Sequence, residues 1–139
     1  MPRTTFELTT QGPGLTDFTR DVTRWIETTG TGEGLLTLFV RHTSCSLLIQ
    51  ENADPSVRAD LETFLARLVP AADDPASGWI THRSEGSDDM PAHIKTALLP
   101  VALTIPVTAG RLALGTWQGI DLWEHRDRPH RRQVAAHLA

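Results

Sequence analysis

Leu35-Leu36-Thr37-Leu38-Phe39-Val40-Arg41-His42-Thr43-Ser44-Cys45-Ser46-Leu47-Leu48-Ile49-Gln50-Glu51-Asn52-Ala53-Asp54-Pro55 holds a strand, a polar turn, a second strand and a helix start in close succession. Residues 35–41 are dominated by large apolar side chains, as a buried strand is, and the run at 46–50 repeats the pattern. Strand interiors favour β-branched and aromatic residues. A histidine, two serines, a glutamate, an asparagine and an aspartate beside such strands therefore need a reason, and chemistry at a strand end is the usual one. The competing reading makes His42 a hydrogen-bonded core histidine and Ser44 and Ser46 edge positions. Asp54 followed by Pro55 is the N-cap and first-turn proline of a helix. Its inward stripe is Val57, Leu61, Phe64, Leu65 and Leu68, and Pro70 stops it.

Working outward, Thr4 to Thr9 reads as a first strand, broken by Gly12-Pro13-Gly14. Asp17 to Thr28 carries a helical apolar set at Phe18, Val22, Trp25 and Ile26. Residues 71–78 form a loop, and 79–82 look like a short strand. Asp88-Asp89-Met90-Pro91 opens another helix, with Met90, Ile94, Ala97 and Leu98 inward and Pro100 at its end. Three strands close the chain, at 101–107, 111–124 and 133–138, with Thr108-Ala109-Gly110 as a hairpin turn. The order β-α-β-β-α-β-α-β-β-β predicts a single α+β domain over residues 1–139, a mixed, largely antiparallel sheet with helices on one face.

At 139 residues, 40% hydrophobic and 22% charged, the chain has an ordinary globular composition. A formal charge of −4 provides no field for a nucleic-acid backbone. The one basic concentration, Arg126, Arg128, Arg131 and Arg132, is interrupted by Asp127 and reads as a turn and a solvated strand edge. A single cysteine excludes an internal disulfide and a thiolate zinc site. No apolar run reaches the length of a membrane span and no signal-peptide core is present, so a cytoplasmic location is expected.

A second polar cluster is His82-Arg83-Ser84-Glu85-Gly86-Ser87-Asp88-Asp89-Met90-Pro91-Ala92-His93-Ile94-Lys95. Imidazole and carboxylate donors suit Zn, Mn or Mg. Asp89 and His93 are four apart, on one helical face, unless Asp89 spends its oxygens on capping. Lys95 points away from His93 on that helix. In Gly115-Thr116-Trp117-Gln118-Gly119-Ile120, two glycines inside a strand suggest a bend that presents Gln118 to a ligand, with Trp117 as a core anchor. Alternation puts Gln118, Ile120, Leu122 and Glu124 on one face of that strand and Trp117, Asp121, Trp123 and His125 on the other.

The segments HTSCSLLIQENADPSVRADLE, HRSEGSDDMPAHIKTALL and GRLALGTWQGIDLWEH resemble, in order and spacing, the YjbQ-like family, described as secondary thiamine-phosphate synthase enzymes. The resemblance runs from the first strand to RRQVAAHL. It implies a sheet curled into a half-barrel with helices outside it, and a homotrimer with clefts near the subunit boundaries. Four tryptophans and several strands under only three helices also favour association. The resemblance further implies that His42, His82 and His93 gather in one polar pocket. Cys45 matches a position where small residues serve equally well, and His130 and His137 carry no motif and are expected at the surface.

Joining a pyrimidine methyl diphosphate to a thiazole phosphate needs a divalent cation on the leaving group. His42, Glu51, Asn52, Glu85 and Gln118 are then the candidate catalytic residues, and His42, His82 and His93 the candidate ligands of Zn or Mg. Lys95 and Arg83 are the candidate phosphate contacts. A metal-dependent hydrolase of a small molecule and a non-catalytic trimeric metal or small-molecule binder are the alternatives.

Overall fold

The two apolar runs at 34–40 and 45–51 are strands of different sheets. The computed structural model describes residues 1–139. Its elements are β1 (Arg3–Thr9), β2 (Gly14–Asp17), α1 (Thr19–Thr29), β3 (Gly34–Val40), β4 (Cys45–Glu51), α2 (Pro55–Leu68), a 3₁₀ turn (Pro75–Ser77), α3 (Asp89–Leu98), β5 (Ala102–Thr108), β6 (Arg111–Leu112), β7 (Gln118–Glu124) and β8 (Arg131–Leu138). One sheet has the order β1-β8-β3-β5-β6 and the other β2-β7-β4.

Every strand pairing is antiparallel. The expected α+β fold with a curled sheet is what forms, without the parallel pair that would make it mixed. A parallel pair needs a crossover within one sheet. Here α1 leads from the small sheet to the large one, and so does the α2–α3 segment.

The core lies between the sheets. Leu36, Leu38, Val40, Ile105, Val107, Val134, Ala136 and Leu138 of the large sheet meet Cys45, Leu47, Ile120 and Leu122 of the small one, with Val22 and Ile26 of α1 alongside. The opposite face of the small sheet carries Trp123, which packs with Leu65 and Val69 beside Leu48 and Ile94. The small sheet is thus a middle layer, apolar toward the large sheet and mixed on its outer side. There α2 and α3 lie over Leu48 and Trp123, and Arg58 pairs with Asp121. α2 starts as expected: the Asp54 carboxylate accepts from Ser56 N–H at 2.9 Å, with Pro55 in the first turn.

Several expectations need correction. β2 was not anticipated, because four residues beside Gly12-Pro13-Gly14 become a strand only by pairing with β7. The run 111–124 is two strands in two sheets, since Gly115 N–H donates to the Gln118 side-chain oxygen at 2.8 Å and closes a turn between them. Ala109 and Gly110, both at positive φ, make the two-residue turn of the β5–β6 hairpin. Residues 79–82 are not a strand. In α2 only Leu65 is buried, and Phe64 is 62% exposed. In α3 Leu98 is exposed while Pro91 and Ala92 are buried. Trp117, the expected anchor, is exposed as well.

Candidate metal centre

α3 carries Asp89 and His93 one helical turn apart, and the preceding loop delivers His82 to them. His82 Nε2 lies 2.8 Å and His93 Nε2 3.4 Å from the same Asp89 oxygen. The ligand atoms of all three lie within 4.8 Å of one another. Asp89 is buried, whereas His82 is exposed and His93 half-buried, so the group opens to solvent on the histidine side.

Arg126 fixes the carboxylate. Its Nη1 donates to the other Asp89 oxygen at 2.8 Å, its Nε to Asp88 at 2.8 Å and its Nη2 to the Glu85 carbonyl at 3.1 Å. Asp89 therefore spends no oxygen on capping and presents Oδ2 to both imidazoles. Burial pushes the Asp88 carboxyl up, but bonds from Arg126 and Asp127 N–H outweigh it and hold the group below its usual range. The loop is stapled by Arg83, whose guanidinium donates to the carbonyls of Ile80, Ala72 and Ser77 at 2.8–2.9 Å. Arg83 thus braces the loop.

Two imidazoles and one carboxylate match the three-ligand pattern of zinc sites that keep a fourth position open. Magnesium prefers an all-oxygen shell, so the donor set fits a zinc-like ion better than Mg²⁺.

Residues 4–139 match the family described as UPF0047 protein YjbQ-like. The chain belongs to that family. It is 51% identical over 132 residues to UPF0047 protein sll1880 of Synechocystis, covering 95% of this chain and 87% of that protein. Two solved structures share the UPF0047 fold seen here. APE1520 of Aeropyrum pernix superposes with a TM-score of 0.88 at 29% identity, over 100% of this chain and 98% of that one. A YjbQ/UPF0047 protein of Clostridium acetobutylicum gives 0.85 at 31%, over 98% and 99%.

The remaining candidate residues do not join the UPF0047 chain's triad. His42 is not in the group: its Nε2 accepts the Gln133 backbone N–H at 2.8 Å. Burial, reinforced by Arg132, lowers its pKa. The third member of the group is instead Asp89. Glu51 and Gln118 face each other at one end of the β4–β7 ladder, with Asn52 next to them. The opposite end of the ladder, with Cys45 and Glu124, is about 20 Å away over seven-residue strands. Within one chain, His42, Glu51, Asn52, Glu85 and Gln118 therefore do not form one site. Glu85 is exposed and contributes its carbonyl to Arg126. Gly119 leaves room for neighbours: a Cβ there would come within 2.7 Å of Asp17 and 3.0 Å of Asn52.

A buried polar network at the Glu124 end of the ladder was missed. Glu124 accepts from Thr10 Oγ1 at 2.7 Å, Arg132 Nε at 2.8 Å, His125 N–H at 3.1 Å and Arg126 N–H at 3.2 Å, and also pairs with Arg132 Nη2. Burial would raise its pKa, but these donors together hold it below the usual range. Arg132 is buried, not a solvated edge. The clue was present: alternation sets Glu124 on the apolar face with Ile120 and Leu122, where a carboxylate requires a cation. Behind it, Ser46 Oγ and His125 Nε2 lie 2.9 Å apart. Burial drives the His125 pKa down to about 3 and pushes the Cys45 thiol up to about 12, so the cysteine is inert. His137 is at the surface and His130 half-buried.

Proposed function

We propose that the protein is a metal-assisted enzyme of small molecules, hydrolytic in type, with His82, Asp89 and His93 holding a zinc-like divalent ion. The observation that carries this reading is the convergence of those three ligand atoms within 4.8 Å, with Asp89 aimed by Arg126. Bound there, such an ion supplies Lewis-acid polarisation of a carbonyl or phosphoryl oxygen. The protein's own part is to hold Asp89 rigid through Arg126 and to leave the half-exposed histidine side open to substrate.

Thiamine-phosphate formation, implied by the family resemblance, has weaker support. Asp54 caps α2, Asp88 is tied to Arg126, and Arg83 is committed to carbonyls. Of the carboxylates that would carry a cation on a diphosphate, Asp54 and Asp88 are thus engaged and Asp89 belongs to the histidine cluster. Equilibrium dialysis of chelator-treated protein against zinc tests the reading. One ion per chain is expected, with the affinity reduced about 100-fold or more in Asp89→Ala, and zinc-dependent turnover of ester or phosphoester substrates. Absence of zinc uptake would refute the centre. Uptake without turnover on a broad panel would favour a binding protein over an enzyme.

A homotrimer is part of the same proposal. Leu35 and Phe39, 50% and 48% exposed, stand on the uncovered face of the large sheet, and Leu68, Trp79 and Leu98 rim a groove beside α2 and α3. Apolar groups left exposed in this number mark association surfaces. Light scattering at micromolar concentration is expected to give the mass of three chains, and a monomer mass would contradict it.

A further inference from the structure

Lys95 is the only lysine among thirteen lysine and arginine residues. It is half-buried, forms no ion pair, and turns away from the metal centre into a separate cleft of about 300 Å³ between α2 and α3. Leu65 and Trp123 form apolar parts of the wall, the His125 ring a polar part, and Glu62 and Glu124 bring carboxylates to it, the latter neutralised by Arg132. The Glu62 carboxylate is engaged with Leu15 N–H at 3.0 Å.

His125 is 3% exposed, and its Nδ1 has no hydrogen-bond partner. The tautomer follows from its neighbour. Ser46 is wholly buried and its hydroxyl has His125 Nε2 as its one side-chain partner. If Ser46 accepted from Nε2–H, both its own proton and the Nδ1 lone pair would be stranded. If it donates, only one group is left over, an Nδ1–H donor. An unsatisfied buried donor costs about 1–3 kcal/mol, so the second arrangement is preferred. The cleft thus places an unpaired ammonium beside an imidazole wall whose Nδ1–H is itself buried and lacks an acceptor. An oxygen acceptor in the cleft meets the first directly and the second by a turn of the ring.

We infer that this cleft is a binding site for a small organic oxyanion, a carboxylate or phosphate monoester, held by Lys95 and His125 with its apolar body against Leu65 and Trp123. Trp123 supplies a flat apolar wall and the volume suits a ligand at the small end of the usual range. The site shares no residue with the His82–Asp89–His93 centre and does not depend on it.

Because there is one lysine, protein grown on ¹³C-lysine carries a single labelled side chain. Titration of the chelator-treated protein with acetate, benzoate and inorganic phosphate, at constant ionic strength, is expected to move that resonance saturably. Benzoate should bind more tightly than acetate, through the apolar wall. Tighter binding of phosphate than of either carboxylate would identify the phosphate ester as the class. His125→Phe should weaken binding about tenfold while zinc uptake stays unchanged. If that variant does not fold, Lys95→Gln with ¹⁵N-tryptophan labelling replaces it, and the Trp123 indole shift seen in wild type should vanish. A lysine shift that stays linear in all three anions, as for free lysine, would overturn the proposal, whatever the outcome at the metal centre.

Discussion

Glu124→Gln should lower the folding stability by about 3–5 kcal/mol, the range for breaking a buried ion pair from one side. The substitution keeps the shape, so the loss isolates the charge. Glu124 and Arg132 are 1% and 4% exposed, and neither can recover solvation when its partner is neutralised. The glutamate also answers Thr10 and the His125 and Arg126 amides, so an amide nitrogen in place of one oxygen would meet donors with a donor. Urea denaturation at pH 7 measures the effect. A loss under about 1 kcal/mol, the value of an exposed pair, would show that water reaches the network.

Acidification from pH 7 to 5 should weaken the fold well before the carboxylates titrate. His125 stays neutral in the folded chain down to about pH 3, whereas the unfolded histidine takes a proton near pH 6.5. Between those values the unfolded state binds more protons, so stability falls as pH falls, by up to about 1.4 kcal/mol per pH unit from this residue. His42, whose pKa is also lowered, adds to the slope, because protonating Nε2 would cancel its acceptance of the Gln133 N–H. Glu124 and Asp88, both depressed, act in the same direction only below the ordinary carboxylate range. Urea midpoints at pH 7, 6 and 5 should decline steadily in wild type and less steeply in His125→Phe. A flat profile across that interval would mean the imidazoles gain protons without loss of native contacts.

Legibility in the sequence followed the range of the interactions. α2 was readable from Asp54 and Pro55 alone, because its start is fixed within three residues. The two faces of β7 were readable from alternation, and Ile120 and Leu122 do face the core while Trp123 faces the helices. Asp89 and His93 share a helical turn and were legible as a pair. What eluded local reading depends on pairings across the chain. β2 exists through β7, Arg126 reaches back 37 residues to Asp89, and His42 is occupied by an amide 91 residues away. Phe64 and Leu68 fit a helical stripe, yet α2 covers the small sheet chiefly through Leu65. No periodicity records how much of a helix its neighbour can cover.

The place of β8 in the large sheet has a consequence for how the chain reaches this state. β8 lies between β1 and β3 and bonds to both, so during synthesis the first strand has no partner until residues 131–138 have left the ribosome. Residues 3–9 must wait with an unpaired edge while the intervening residues are made, and the ladder that finally forms closes a very long loop. Folding should therefore wait on β8 and be limited by this distant pairing, as in other topologies of high contact order. A nascent chain arrested before β8 is the species in which helper proteins would find exposed strand.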